Sequence, residues 1–137
     1  MTHKIDFAHE FHYRDLPAIP FVPAVGVTLI GPSGQDEFVA IVDTGAAYCL
    51  FNGRRAKSIG LDLQAGRQQK LAGIAGGTLM ARIHQVRLEI LGSTFKCEVA
   101  FSEEDIGREL LGRHDLFSQV RFGFREGRSI AYFHPSP

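Results

Sequence analysis

The strongest constraint on how this chain can fold is a pair of short apolar segments joined by a glycine-proline turn and ending on an acid. Phe21 to Ile30 carries Val22, Val25, Val27 and Leu29, with alternation clearest over its second half. Gly31-Pro32-Ser33-Gly34 reads as a turn and Phe38 to Val42 as a second strand. A period of two places one face inside and one outside, so the segments predict an early hairpin whose second strand delivers Asp43 at its end. The same pattern continues downstream, where 15 glycines and 6 prolines punctuate short apolar runs and point to a mainly β chain.

Gly53 to Leu61 has Ala56 and Ile59 at helical spacing and Gly60 where a left-handed cap would fall, which predicts a short helix. Gln69 to Gln85 is polar, then glycine-rich at Gly73, Gly76 and Gly77, then extended, as in a hairpin with a mobile tip. Val86 to Ile90 alternates cleanly, Thr94 to Phe101 continues as a strand, and Ile130 to Phe133 reads as a final one. Ser102 with Glu103, Glu104 and Asp105 has the spacing of a capping box and predicts a brief helical turn. Asp115 to Val120 reads as a second short helix.

At 137 residues and 45% hydrophobic content the chain fits one globular domain. Residues 1–17 read as a polar arm, free to be flexible, and residues 18–137 as the folded domain. With 15 basic and 15 acidic side chains there is no net pull toward nucleic acid or an anionic membrane. The first residues lack a secretory apolar stretch and no run approaches the ~18 apolar residues of a membrane span, so a soluble, cytoplasmic protein is expected. Cys49 and Cys97 then read as reduced thiols packed as small apolar groups, with no redox role.

The chemistry centres on Asp43-Thr44-Gly45-Ala46, a carboxylate set before a glycine directly after an apolar strand. Gly45 permits close approach of another backbone, Thr44 offers a short hydroxyl, and Ala46 leaves room beside the acid. Alone, the tetrapeptide also fits an Asp-initiated turn. Two further segments accompany it, the glycine-rich Gly73-Ile74-Ala75-Gly76-Gly77 and the apolar pair leading into a glycine at Leu110-Leu111-Gly112-Arg113.

In order and approximate spacing these segments resemble the retropepsin-like aspartic peptidases, the family of the retroviral proteases and their bacterial relatives, over roughly Ile19 to Phe133. The resemblance implies a closed, barrel-like acid-protease fold with one or two short helices, half of a pepsin-like bilobal enzyme. It implies that Asp43 is the catalytic aspartate, that Thr44 locks two active-site loops together, and that the Gly45 carbonyl meets substrate, with Ala46 completing the loop. Gly73 to Gly77 would be the tip of a flap over bound peptide, and Leu110, Leu111 and Gly112 would support the active-site loop, followed by Arg113. Ala47 stands where retroviral enzymes carry an aspartate that pairs with that arginine. Arg113 would then turn to Asp115 or to a carboxylate of another subunit.

Hydrolysis by this chemistry uses one ionised and one protonated carboxylate. A chain with a single Asp-Thr-Gly must borrow the second across a two-fold axis, so a homodimer acting on a peptide or protein substrate is expected, without metal or cofactor. A catalytically inactive domain serving dimerisation or peptide binding is the alternative. Ser129 to Phe133 could pair with its symmetry mate or be an ordinary last strand.

Other groupings point elsewhere. His9-Glu10-Phe11-His12 lacks zinc-helix spacing and reads as a solvated arm. Ser33 lacks the second glycine of a nucleophile elbow, and no strand-turn-helix unit surrounds Gly73. His114 reads as a helix-surface histidine, and Arg54, Arg55 and Lys57 as a solvated basic face.

Overall fold

Alternation alone decides most of the architecture. The computed structural model describes residues 3–17, 19–73 and 76–137. Among them lie strands β1 (His9–His12), β2 (Ala24–Gly31), β3 (Gly34–Val42) and β4 (Leu50–Asn52), then helix α1 (Gly53–Ser58). Strands β5 (Arg67–Ala72), β6 (Thr78–Ile90), β7 (Ser93–Ser102), β8 (Leu110–Leu111), β9 (Arg121–Arg125) and β10 (Ile130–His134) follow.

The early hairpin forms as expected, β2 against β3 from Ala24↔Ile41 to Gly31↔Gly34. It starts at Ala24 rather than Phe21, because Phe21 takes a left-handed φ of 62° and Pro23 has no N–H to give a ladder. The strands run in the order β2-β3-β8-β4-β7-β6, and β6 returns to β2 through Thr28↔Glu89, Leu29↔Leu88 and Ile30↔Arg87. The sheet is therefore ring-like. β5 pairs with the first half of β6, on residues that the return to β2 leaves open. Leu29, Phe51, Leu88, Ile90, Val99, Phe101 and Leu111 fill the interior and are fully buried. They sit at alternate positions of their strands, as one-sided burial requires.

Helix α1 forms, followed by Gly60 with φ +86°. The two other helical expectations do not hold. β7 runs straight through Ser102, whose hydroxyl bonds the Glu104 carbonyl rather than capping a turn. Asp115 has φ +66°, which a right-handed helix does not accommodate, so residues 114–119 form successive turns instead.

A second sheet has the order β1-β10-β9. Part of the segment read as an arm is thus a strand, paired from His9↔Phe133 to His12↔Ile130. Tyr13 behind it is fully buried and donates its hydroxyl to Glu126 at 2.9 Å. Strand alternation sends His9 and Glu10 to opposite faces of β1. Both edges of β10 are occupied, by β1 and by β9, so the last strand has no edge left for a partner copy. Among the described residues, no helix is long and apolar enough to cross a membrane.

Candidate active site

Asp43 is placed by its backbone. Its N–H donates to the Leu111 carbonyl at 2.9 Å, continuing the parallel register Ile41↔Leu110 and Val42↔Leu111 that ties β3 to β8. The chain then turns, with the Gly45 N–H donating to Asp43 Oδ1 at 2.9 Å and the Ala46 N–H to the Asp43 carbonyl at 3.1 Å. The carboxylate is half-buried while Thr44 and Gly45 are exposed. An acid is therefore held rigidly at the mouth of a strand end and still reached by solvent.

Leu110-Leu111-Gly112-Arg113 crosses directly behind this loop. Arg113 N–H donates to the Ala46 carbonyl at 2.9 Å and His114 N–H to the Ala47 carbonyl at 2.6 Å. Gly112 is required by proximity: a Cβ there would overlap the Tyr48 carbonyl and come within 2.9 Å of the Ala46 oxygen. Both obstacles are backbone and cannot swing aside. Gly112→Ala is expected to destabilise the fold by about 1–3 kcal/mol or more, read from urea unfolding, and to displace the Asp43 loop. An unchanged unfolding midpoint would show that the crossing is looser than this.

Cys49 lies under the same crossing, its Sγ 3.4 Å from the Gly112 nitrogen. Cys49 and Cys97 are both free and fully buried, and burial pushes each thiol up to about 12. At pH 8 an aromatic disulfide reagent should modify neither until the chain unfolds, whereas rapid labelling of the native protein would contradict this placement.

A cleft of about 480 Å³ opens over Asp43. Tyr48, Leu50 and Leu110 line one wall, and Leu71, Gly73 and Leu79 of the β5–β6 hairpin line the other. At the hairpin's end the Gly73 N–H donates to the Gly77 carbonyl at 2.9 Å, and Gly76 takes φ +80°. Gly76 and Gly77 are exposed, and Ile74 and Ala75 lie outside the described residues.

Among the described residues, no carboxylate lies within ion-pair distance of Arg113, which is exposed. Asp115 does not serve it, because its carboxylate accepts the Glu98 N–H at 2.8 Å. His114 is exposed on a turn rather than a helix, and its ring packs 4.7 Å from that of Tyr48. Glu98, His114 and Asp115 bring their ligand atoms within 4.8 Å of one another. Their interactions are accounted for by the protein itself, through His114 to Glu98 at 3.0 Å and Arg67 to Glu98 at 3.7 Å.

One buried group escaped the sequence reading. Arg55 does not belong to a solvated face: its Nε and a terminal nitrogen donate to both oxygens of Glu109 at 2.6 Å, and its other terminal nitrogen reaches Asp36 at 3.1 Å. Glu109 also accepts the Asn52 N–H, and its own carbonyl receives the Ile41 N–H, two residues before Asp43. The only signal was a charged residue set immediately before the apolar pair Leu110-Leu111.

The aspartyl protease family model matches residues 25–114, from β2 through the loop crossing at Gly112. The chain belongs to the aspartyl protease family. The fold of this family member is also that of a solved retropepsin-like aspartic protease from Rickettsia conorii, with a TM-score of 0.53 over 99% of this chain and 100% of that one. Sequence identity between the two is 15%, so the likeness is one of fold. No curated protein matches this aspartyl protease sequence.

Proposed function

We propose that the chain is one subunit of a homodimeric aspartic endopeptidase, with Asp43 and its symmetry mate as the catalytic pair. The observation that carries the reading is a single Asp-Thr-Gly, fixed by the Leu111 and Gly112 crossing, at the floor of an apolar cleft walled by a glycine-tipped hairpin. In this reading the ionised carboxylate takes a proton from water as its oxygen attacks the peptide carbonyl, and the protonated one donates to the carbonyl oxygen. Proton transfer to the amide nitrogen then accompanies C–N cleavage, and the pair is left again with one shared proton.

The substrate would lie extended between hairpin and floor, backbone hydrogen bonds supplying affinity and the leucine-lined walls selectivity. Gly73, Ile74, Ala75, Gly76 and Gly77 act as the flap, Thr44 meets the other copy's loop, Gly45 and Ala46 face substrate, and Leu110 to Arg113 hold the loop. A cytoplasmic site of action is in keeping with two free thiols. Ala47, and an Arg113 with no carboxylate partner among the described residues, favour a second reading, a peptide-binding dimer without turnover.

The test is cleavage of a diverse peptide library from acid to neutral pH by protein shown to be dimeric by sedimentation. Cleavage supports the first reading. A well-folded dimer that cuts nothing at any pH leaves the second.

A further inference from the structure

We infer that Arg113 selects substrate, its guanidinium forming a subsite for a carboxylate where the active-site cleft opens past Ala47. This role rests on the reading of the Asp43 cleft as a peptide site and adds the chemical class of residue that the cleft favours.

The cleft over Asp43 continues beyond its floor. A second, more open recess of about 390 Å³ is lined by Ala47, Tyr48, Arg113 and His114, and it shares Ala47 and Tyr48 with the cleft, so the two adjoin along these residues. Apart from the Asp43 carboxylate, no charged side chain among the described residues lines the cleft itself. In a site so apolar the few polar groups decide which ligand lies in which register, and Arg113 is the cation at the point where the cleft widens.

Arg113 serves the fold through its main chain, whose N–H donates to the Ala46 carbonyl at 2.9 Å. Its side chain is exposed and, among the described residues, has no carboxylate within ion-pair distance. The acids around His114 are engaged elsewhere. The Asp115 carboxylate accepts the Glu98 N–H at 2.8 Å, and Glu98 faces His114 at 3.0 Å and Arg67 at 3.7 Å. Ala47 brings only a methyl to the recess, and its carbonyl already accepts the His114 N–H.

A guanidinium offers two parallel N–H donors that match the two oxygens of a carboxylate, whereas a neutral amide presents one acceptor and no charge. Ala47 is four residues along the chain from Asp43, and the Ala46 N–H closes a turn onto the Asp43 carbonyl, so Ala47 lies within ~14 Å of the acid. An extended peptide advances ~3.3 Å per residue, which places the carboxylate within about four residues of the bond that is cut. An Asp or Glu side chain supplies that group, and so does the α-carboxylate of a peptide ending there.

The experiment uses peptides in which one Glu, or a Gln in its place, is moved through the four residues on either side of the cut. A second set ends within those four residues, with a free or an amidated carboxyl terminus. For the wild type, kcat/KM should favour Glu over Gln about tenfold at one position, mostly through KM, because a contact away from the reacting bond holds substrate and transition state alike. A preference for the free over the amidated terminus would assign the same subsite to the α-carboxylate. Either preference should shrink as salt is raised, a test that needs no variant. Arg113→Met should bring the ratio close to one, and Arg113→Glu should turn the preference toward a peptide with Lys at that position, with urea unfolding as the check that both fold. Weaker support of the loop would slow every peptide and leave the ratio standing.

Equal cleavage of all the paired peptides by the wild type, the result expected if a carboxylate of the partner copy occupies Arg113, would overturn the subsite and leave the peptidase standing. So would a preference that salt does not move or that Arg113→Met retains. A wild type that cuts nothing overturns the peptidase reading by itself, and the subsite is then decided by fluorescence anisotropy of labelled library peptides carrying Glu or Gln. Tighter binding of the Glu peptides that Arg113→Met abolishes sustains it, and equal binding or none overturns it.

Discussion

Asp43→Asn should give a folded dimer in which peptide cleavage is lower by about 10⁴-fold, because the substitution keeps the shape of the site and removes its proton chemistry. Asparagine can accept the Gly45 N–H through the same oxygen position, so the turn after β3 has no reason to open. The Asp43 N–H bond to Leu111 is a backbone contact and is untouched. What disappears is the ionisable group, and in the proposed homodimer it disappears from both halves of the site at once. Cleavage measured beside the wild type, with sedimentation and unfolding as controls, separates chemistry from folding. In the wild type the rate should rise and fall with pH, and its two limbs belong to the pair of carboxylates rather than to either one. Activity surviving in a homogeneous Asp43→Asn preparation would remove Asp43 from the reaction.

Elements written in local pattern were readable from the sequence, and elements made by long-range pairing were not. The β2–β3 hairpin, the α1 helix and the glycine-tipped β5–β6 hairpin each have a period or a turn residue that acts within a few positions. The Asp43 loop and Gly112 were visible because their requirements are steric and admit few residue types, a small residue beside the acid and none beyond hydrogen at the crossing. Asp115 to Val120 looked helical because propensity cannot register that the Asp115 carboxylate is claimed by Glu98, with its own φ turned positive. His9 to His12 looked like solvated chain because its alternating half-buried pattern becomes meaningful only once β10 lies beside it. For the same reason the last strand could not be placed: whether an edge is open depends on segments more than a hundred residues away in sequence.

Arg55 is the clearest case of a residue whose neighbours in sequence mislead, and its removal should have the largest effect on stability. Arg54 and Lys57 are solvated, yet Arg55 lies between them on α1 with its side chain only 16% exposed, against Glu109 at 9%. The guanidinium also lies 4.0 Å over the Phe38 ring, so one of its faces is covered as well. Glu109 hydrogen bonds push the Arg55 pKa above its ordinary value, the Glu109 and Asp36 charges add to that, and burial opposes it. A raised folded-state pKa gives stabilisation that is complete below the unfolded value and fades only as pH rises through the folded one, so titration of the arginine itself removes none of it up to neutral pH. Arg55→Ala leaves the Glu109 carboxylate in a nearly closed site with the Asn52 N–H as its remaining partner, and should cost about 3–5 kcal/mol in urea unfolding. Because the Glu109 carbonyl holds Ile41, the disturbance should also reach Asp43 and reduce cleavage. Arg55→Met combined with Glu109→Leu removes both charges and should recover much of the lost stability, since an uncompensated buried charge is the expensive state. Were Arg55→Ala to cost less than about 1 kcal/mol, as exposed pairs do, water would be reaching Glu109 and the network would not be what ties α1 to the active-site strand.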